Sequence, residues 1–225
     1  MRASCPMNVE ASSIMNLNTL ECRIELDSRV HLNIRPLRRG EEGTVRELCA
    51  RLSLRTRYLR FLVPVPVVTD SLVHMLANVD DPRRLALVAE VNHGDGYHVV
   101  ALGNVGGIDD DHAELGLVVA DAWQRRGIGL ALATEVLRAA ERRGYQRFVV
   151  HAVSDNPALR PFLSHVANVV ARTTRRGVSE ITFVFRESAV VPSEPIRRWP
   201  KTPADDLLEK AYERILAAKG GTSPY

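Results

Sequence analysis

Gln124-Arg125-Arg126-Gly127-Ile128-Gly129 stands between an apolar run, Leu115 to Ala120, and a strongly periodic stretch, Ile128 to Arg143. The run reads as a buried strand and the stretch as an amphipathic helix. A strand, a tight glycine-bearing turn and a helix start together make an anion site. The first backbone N–H groups of a helix lack intrahelical acceptors, and the aligned peptide dipoles add partial positive charge there. Gly127 and Gly129 let a ligand approach the main chain with no Cβ in the way. The guest this arrangement expects is a pyrophosphate.

Two familiar pyrophosphate binders do not fit. The dinucleotide pattern G-x-G-x-x-G needs a third glycine, but Ala131 and Leu132 follow Gly129. The nucleotide P-loop needs G-K-[ST] at the helix start, and that triplet is missing. What remains is Q-x-x-G-x-G behind the strand end Val118-Val119-Ala120-Asp121. This resembles the acyl-CoA-binding signature of the GNAT superfamily of N-acetyltransferases. The resemblance implies that acetyl-CoA is the acyl donor. It also implies that the turn Gln124, Arg125, Arg126, Gly127, Ile128 and Gly129 holds the CoA pyrophosphate, mainly through main-chain amides. The backbone of Leu117, Val118 and Val119 would hydrogen-bond the pantetheine arm. Asn156 would either hold that arm or cap the helix opened by Asp155-Asn156-Pro157.

Working outward, His31 to Arg35 alternates as a strand that Pro36 ends. Glu41 to Leu54 reads as a helix with Val45, Leu48, Cys49 and Leu52 on one face. A second helix runs from about Thr69, a good N-cap, to Val79. Arg84–Val91, Val99–Gly106 and Leu115–Ala120 read as strands, and Asn92 to Gly96 carries hairpin chemistry. The helix from Ile128 ends at Arg142-Arg143-Gly144. Strand Arg147–Val153, a helix Pro157–Val166, and strands near Val169 and at Ile181–Phe185 follow. The order β-α-α-β-β-β-α-β-α-β-β matches the GNAT fold over residues 31 to 187. The class is α/β, a mixed central sheet flanked by helices. The helix between Leu115–Ala120 and Arg147–Val153 makes those strands a parallel pair. In the family the pair splays apart around the pantetheine arm.

Transfer of an acyl group to a lysine-type amine requires a base, because an amine with a pKa near 10.4 is almost wholly protonated at neutral pH. Glu114, at the start of the strand that ends in the anion turn, is the candidate. Its position and type match the family base. The alternative is an ordinary carboxylate continuing Asp109-Asp110-Asp111. The resemblance implies a β-bulge in this strand, and the broken alternation around Gly116 is consistent with it. Many family members protonate the leaving thiolate from a Tyr seven residues after the Asn. Here that residue is Leu163, which leaves water, Ser154 or Ser164 for the task.

Leu52-Ser53-Leu54-Arg55-Thr56-Arg57-Tyr58-Leu59-Arg60-Phe61-Leu62 resembles the LSxxSRYLRFF segment of bacterial protein-lysine acetyltransferases. That subgroup also has a non-Tyr residue at the position of Leu163, and its proposed base matches Glu114. A protein lysine is therefore the expected acceptor, with a small-molecule amine as the alternative. Arg57 and Arg60 line the acceptor groove or lie on a plain surface face. A reading of a different class is a catalytically weak acyl-CoA-binding sensor module.

At 225 residues the chain suits one domain with extensions. The reading divides it into a polar N-terminal extension, 1–29, the GNAT domain, 30–187, and a Pro-rich linker with a C-terminal helix, 188–225. Leu207, Leu208, Ala211, Tyr212, Ile215 and Leu216 make one apolar stripe on that helix, which either docks on its own domain or forms a dimer. The net charge of +3 suits an anionic cofactor, and 5% aromatics without basic interleaving gives no reason to expect nucleic acid. Cys5, Cys22 and Cys49 form no C-x-x-C pair, and the seven His are scattered, so no metal is expected. With no long apolar run, the expectation is a cytoplasmic protein, monomeric or dimeric, with no membrane partner. Cys49, on an apolar helix face, is expected in the core.

Overall fold

The computed structural model describes residues 22–27, 30–92 and 96–186. Among the described residues, eight strands form a single mixed sheet. In chain order they are β1 (Cys22–Asp27), β2 (Val30–Pro36), β3 (Arg84–Asn92), β4 (Tyr97–Gly107), β5 (His112–Val119), β6 (Arg147–Val153), β7 (Ala167–Arg175) and β8 (Val178–Phe185). Their spatial order is β1-β2-β3-β4-β5-β6-β8-β7. All neighbours are antiparallel except β5 and β6, the parallel pair the intervening helix demands.

That pair is short. Its register runs His112↔Arg147, Ala113↔Phe148 and Glu114↔Val149, and there it stops. Beyond this point β5 stays paired to β4 as far as Val119, and β6 to β8 as far as Val153. The strands splay apart from Glu114 onward, as expected.

Side-chain alternation divides β5 between two cores. Ala113 and Leu115, with Leu117 and Val119 at the margin, join the core under the helix α4 (Ile128–Glu141), whose apolar stripe includes Ile128, Leu132, Val136 and Leu137. Val118 faces the opposite way, into a core built by Val45, Leu48 and Cys49 of α1 (Glu42–Ala50) and Val73 and Leu76 of α3 (Asp70–Ala77). Thr69 caps α3 as expected, accepting from Leu72 N at 3.2 Å. Cys49 is fully buried, and burial pushes its thiol up from the ordinary value.

Several expectations are corrected. The helix read as Glu41–Leu54 ends at Ala50. Ser53 then starts a separate helix, α2 (Leu54–Phe61), by accepting from Thr56 N at 3.2 Å. A serine side chain that competes for backbone amides favours a helix start over a helix interior, which is why the run divides here. No register break falls at Gly116, where β5 stays in step with β4; the neighbouring β4 carries one, where its register with β3 steps from Ala89↔Ala101 to Glu90↔Val99 and leaves Val100 extra. Its carbonyl is taken by Ala120 N at 2.8 Å. Within the stretch read as a polar extension, Cys22–Asp27 adds an edge strand on β2. The rest of that extension to residue 21, the hairpin turn 93–95, the Pro-rich linker and the C-terminal helix lie outside the described residues.

A buried ion cluster ties β2 to β3 and to the start of α1. Arg35 Nε donates to Glu90 at 2.8 Å, and its two terminal nitrogens each donate to Glu41 at 2.8 Å.

Candidate active site

The turn that follows β5 is shaped by backbone conformation. A 3₁₀ turn, Asp121–Trp123, leads to Gln124, and Arg125 then adopts φ 60°. Gly127 takes φ 81° as the N-cap of α4. Left-handed positions spaced this closely curl the main chain and turn its N–H groups inward, the form of an anion-binding concavity. No side chain caps α4, so its first amides are left to a ligand or to water. Gly129 has a packing reason too, since a Cβ there would sit 3.3 Å from Val119 Cγ2.

The side chains of Gln124 and Arg126 have partners within the protein. The Gln124 amide donates to Val119 O at 2.9 Å and to Thr56 Oγ1 at 3.1 Å, stitching the turn to β5 and α2. Asp121 reinforces the stitch: it accepts from Ser53 N at 2.8 Å, Ser53 Oγ at 2.7 Å and Thr56 Oγ1 at 2.8 Å. The Arg126 guanidinium lies over the Trp123 ring, 4.8 Å from its centroid.

Along β5 the backbone sorts by parity. Ala120 N donates to Val100 of β4, so Val118 and Gly116 also direct their N–H and C=O toward β4. Leu117 and Val119 direct theirs toward the gap, where β6 has splayed away. The Val119 carbonyl is taken by Gln124, which leaves the Leu117 amide and carbonyl and the Val119 amide on that edge. The Val118 backbone belongs to the ladder, and its side chain is buried.

Glu114 emerges on the α2 face, at the point where the splay opens. Its side chain is 54% exposed, and its Oε1 lies 3.2 Å from His151 Nδ1. Arg60 is close enough for the Glu114 charge to act on it. Its guanidinium covers Gly116 and donates to Asn104 Oδ1 at 2.7 Å. Burial pulls the Arg60 guanidinium down from its ordinary value, and the Glu114 charge works against that shift. Its Nε is buried without a partner. Arg57 donates to the carbonyls of Ala50, Val65 and Pro66.

Asn156 sits past the end of β6. Its Oδ1 accepts from Ala158 N at 3.1 Å, just before α5 (Leu159–Val166), so its side chain organises that helix start. With Ser154, Leu163, Ser164 and Arg160 it also lines an open cleft of about 590 Å³ between α5 and β7. Ser154 Oγ is hydrogen-bonded to Ser179 Oγ at 2.9 Å, Ser164 Oγ donates to Pro161 O at 2.7 Å, and Leu163 is buried.

A family model for the acetyltransferase (GNAT) family matches residues 53–166, half of the chain and the whole stretch from α2 to α5. The chain belongs to the acetyltransferase (GNAT) family. An acetyltransferase of Pseudomonas aeruginosa is 27% identical to it over 136 residues, 60% of this chain and 73% of that protein. The GNAT domain of the S. lividans protein PAT shares the fold, with a TM-score of 0.63, 23% identity, and coverage of 73% of this chain and 97% of that one. So does yncA, a putative acetyltransferase from Salmonella typhimurium solved with its cofactor acetyl-CoA, with a TM-score of 0.54 and 18% identity over 72% of this chain and 98% of that one.

The GNAT motif brought the turn and Glu114 to notice. It gave no hint of Asn104, nor of the contacts by which Asp121 and Thr56 join the turn to α2. The signal for His151 was faint: it lies two residues past Val149, on the same strand face, and that means nothing until the register of β5 and β6 is known.

Proposed function

We propose that this GNAT acetyltransferase moves the acetyl group of acetyl-CoA to the side-chain amine of a protein lysine, with Glu114 as the base. The splay of β5 from β6 carries this reading. It puts Glu114 at one end of an open backbone edge and the amide-lined turn at the other. At about 3.3 Å per strand residue, Glu114 and Val119 stand about 17 Å apart, a span comparable to an extended pantetheine arm. A pyrophosphate on the amides of Gly127, Ile128 and Gly129 would let the arm run along Leu117 and Val119 and bring the thioester beside Glu114.

The chemistry follows from that placement. The acceptor approaches from the α2 face, Glu114 takes the proton from its nitrogen, and the nitrogen attacks the thioester carbonyl. The Leu117 amide, pointing into the gap, is placed to donate to the developing oxyanion. Leu163 has no proton to give, so water in the open cleft beyond β6 protonates the departing thiolate. The exposure of Glu114 favours an amine that protrudes from a protein surface. The resemblance of residues 52–62 to the lysine-acetylating subgroup points the same way.

The test is thiol release from acetyl-CoA against lysine peptides, a proteome extract and a panel of small amines. Glu114→Gln keeps the shape but cannot take the proton. It should lose roughly 10²–10⁴ in rate near neutral pH while CoA binding persists. A wild-type rate in that variant would remove Glu114 from the role. Release with small amines alone would replace the lysine acceptor.

A further inference from the structure

His151 stands on β6 at the second position past Val149, the last rung that β6 shares with β5. Its imidazole emerges on the same face as Glu114. Nδ1 lies 3.2 Å from Glu114 Oε1, and Nε2 lies 3.2 Å from Glu180 Oε2. Glu180 is its register partner on β8, so the three side chains form a row across β5, β6 and β8. The ring is 33% exposed, whereas the carboxylates are 54% and 59% exposed. An imidazole with a carboxylate on each nitrogen can accept a proton on one side and give one up on the other. The charged groups around it are Glu114, Glu180 and, from α2, Arg60, on which the Glu114 charge acts.

We propose that His151 is a proton-relay residue for acetyl transfer, carrying the proton that Glu114 takes across to Glu180 at the rim. This rests on the reading of Glu114 as the base. At the start Nε2–H donates to Glu180, and the Nδ1 lone pair faces Glu114. The amine proton goes to Glu114. It passes to Nδ1, giving an imidazolium between two carboxylates that stabilise its charge. The Nε2 proton then leaves through Glu180 to water. One proton enters from the amine and one leaves to solvent, and both carboxylates end ionised. The Nδ1–H tautomer that remains returns to Nε2–H by exchange at the ring's exposed edge. A relay serves here because the acceptor, once bound over Glu114, blocks that carboxylate's direct path to water.

The test is steady-state kinetics of His151→Ala, His151→Gln and Glu114→Gln, with acetyl-CoA and whichever acceptor releases thiol fastest in the panel above. The relay predicts that kcat falls roughly 10–100-fold in both His151 variants, less than for direct loss of a general base. KM for acetyl-CoA should hold. The acid limb of the pH–rate profile should lose one ionisation, and imidazole added to His151→Ala should restore part of kcat. Unchanged kcat and pH profile in the His151 variants, with Glu114→Gln inactive, overturns the proposal and leaves Glu114 as the base. A lower kcat with an unaltered profile and no imidazole rescue reduces His151 to a packing role and overturns it as well. A wild-type rate in Glu114→Gln removes the underlying reading, and the relay with it. Where His151→Ala does not fold, His151→Asn, which fills much of the same space, carries the comparison of profiles.

Discussion

The guanidinium of Arg60 occupies the space that a side chain at residue 116 would need: a Cβ built on Gly116 would stand 2.6 Å from Arg60 Cζ. Gly116 is thus the seat of a buried cation beside Glu114. Gly116→Ala should cost about 1–3 kcal/mol by overpacking and displace Arg60 from Asn104. Urea unfolding of Gly116→Ala, Arg60→Ala and the double variant checks this. The two costs should combine non-additively, because both changes act on one contact.

Gly129→Glu places bulk and negative charge where the first turn of α4 faces the expected pyrophosphate. Near a hundred times its dissociation constant, CoA should add about 2.7 kcal/mol to the stability of the wild type in a thermal melt. The variant should gain nothing. An equal gain in the variant would move the phosphate site off this turn.

Asp121→Ala removes the acceptor for Ser53 and Thr56 and loosens α2 from the anion turn. A cost of about 1 kcal/mol in stability is expected. If the turn holds its shape only while tied to α2, KM for acetyl-CoA should rise as well, by roughly fivefold for each 1 kcal/mol of lost binding. A loss of stability with unchanged KM would show that the turn is rigid by itself.

The Arg35 cluster should show in the pH dependence of stability. Burial alone would push the Glu41 carboxyl up, but the Arg35 hydrogen bond, the Arg38 backbone N–H and the nearby positive charges outweigh it, and Glu41 lies below its ordinary value. A group lowered in the folded state stabilises the fold above its unfolded pKa, about 4.3 for Glu, and loses that contribution as pH falls through the folded value. Glu41→Gln should therefore be less stable than the wild type at pH 7, by about 1–3 kcal/mol. The gap should narrow below about pH 4. Urea titrations of both proteins at pH 7 and pH 3 measure it.

Much of this architecture is legible along the chain because its signals are local. The periodicity from Ile128, the run before Gln124 and the cap at Thr69 each speak for their own segment, and each stands within a few residues of its expected place. Ser53 was harder to read, since a helix pattern runs straight through it until the side chain is seen to take Thr56 N. The bulge went to the wrong strand because a glycine breaks alternation for more than one reason. At Gly116 the reason is a neighbouring arginine, which local pattern does not reveal. In the site, Glu114 and the turn lie on one continuous segment with a motif. Asp121, Asn104 and His151 take their meaning from contacts 29 to 68 residues away in sequence, and no single-sequence pattern carries those.

The early end of the β5–β6 register also matters for the protein without its ligand. A sheet with all its strands paired has free edges only at its two flanks. This one has a further edge in its interior, made of the Leu117 amide and carbonyl and the Val119 amide. Those groups would sit in a fully paired ladder had the strands stayed together. On the proposed reading, an acyl donor entering the gap would take the place of the missing strand, and amide hydrogen exchange at Leu117 and Val119 should then slow on CoA binding more than anywhere else in β5. Without a ligand there, the chain is a sheet of two halves whose seam is three rungs long.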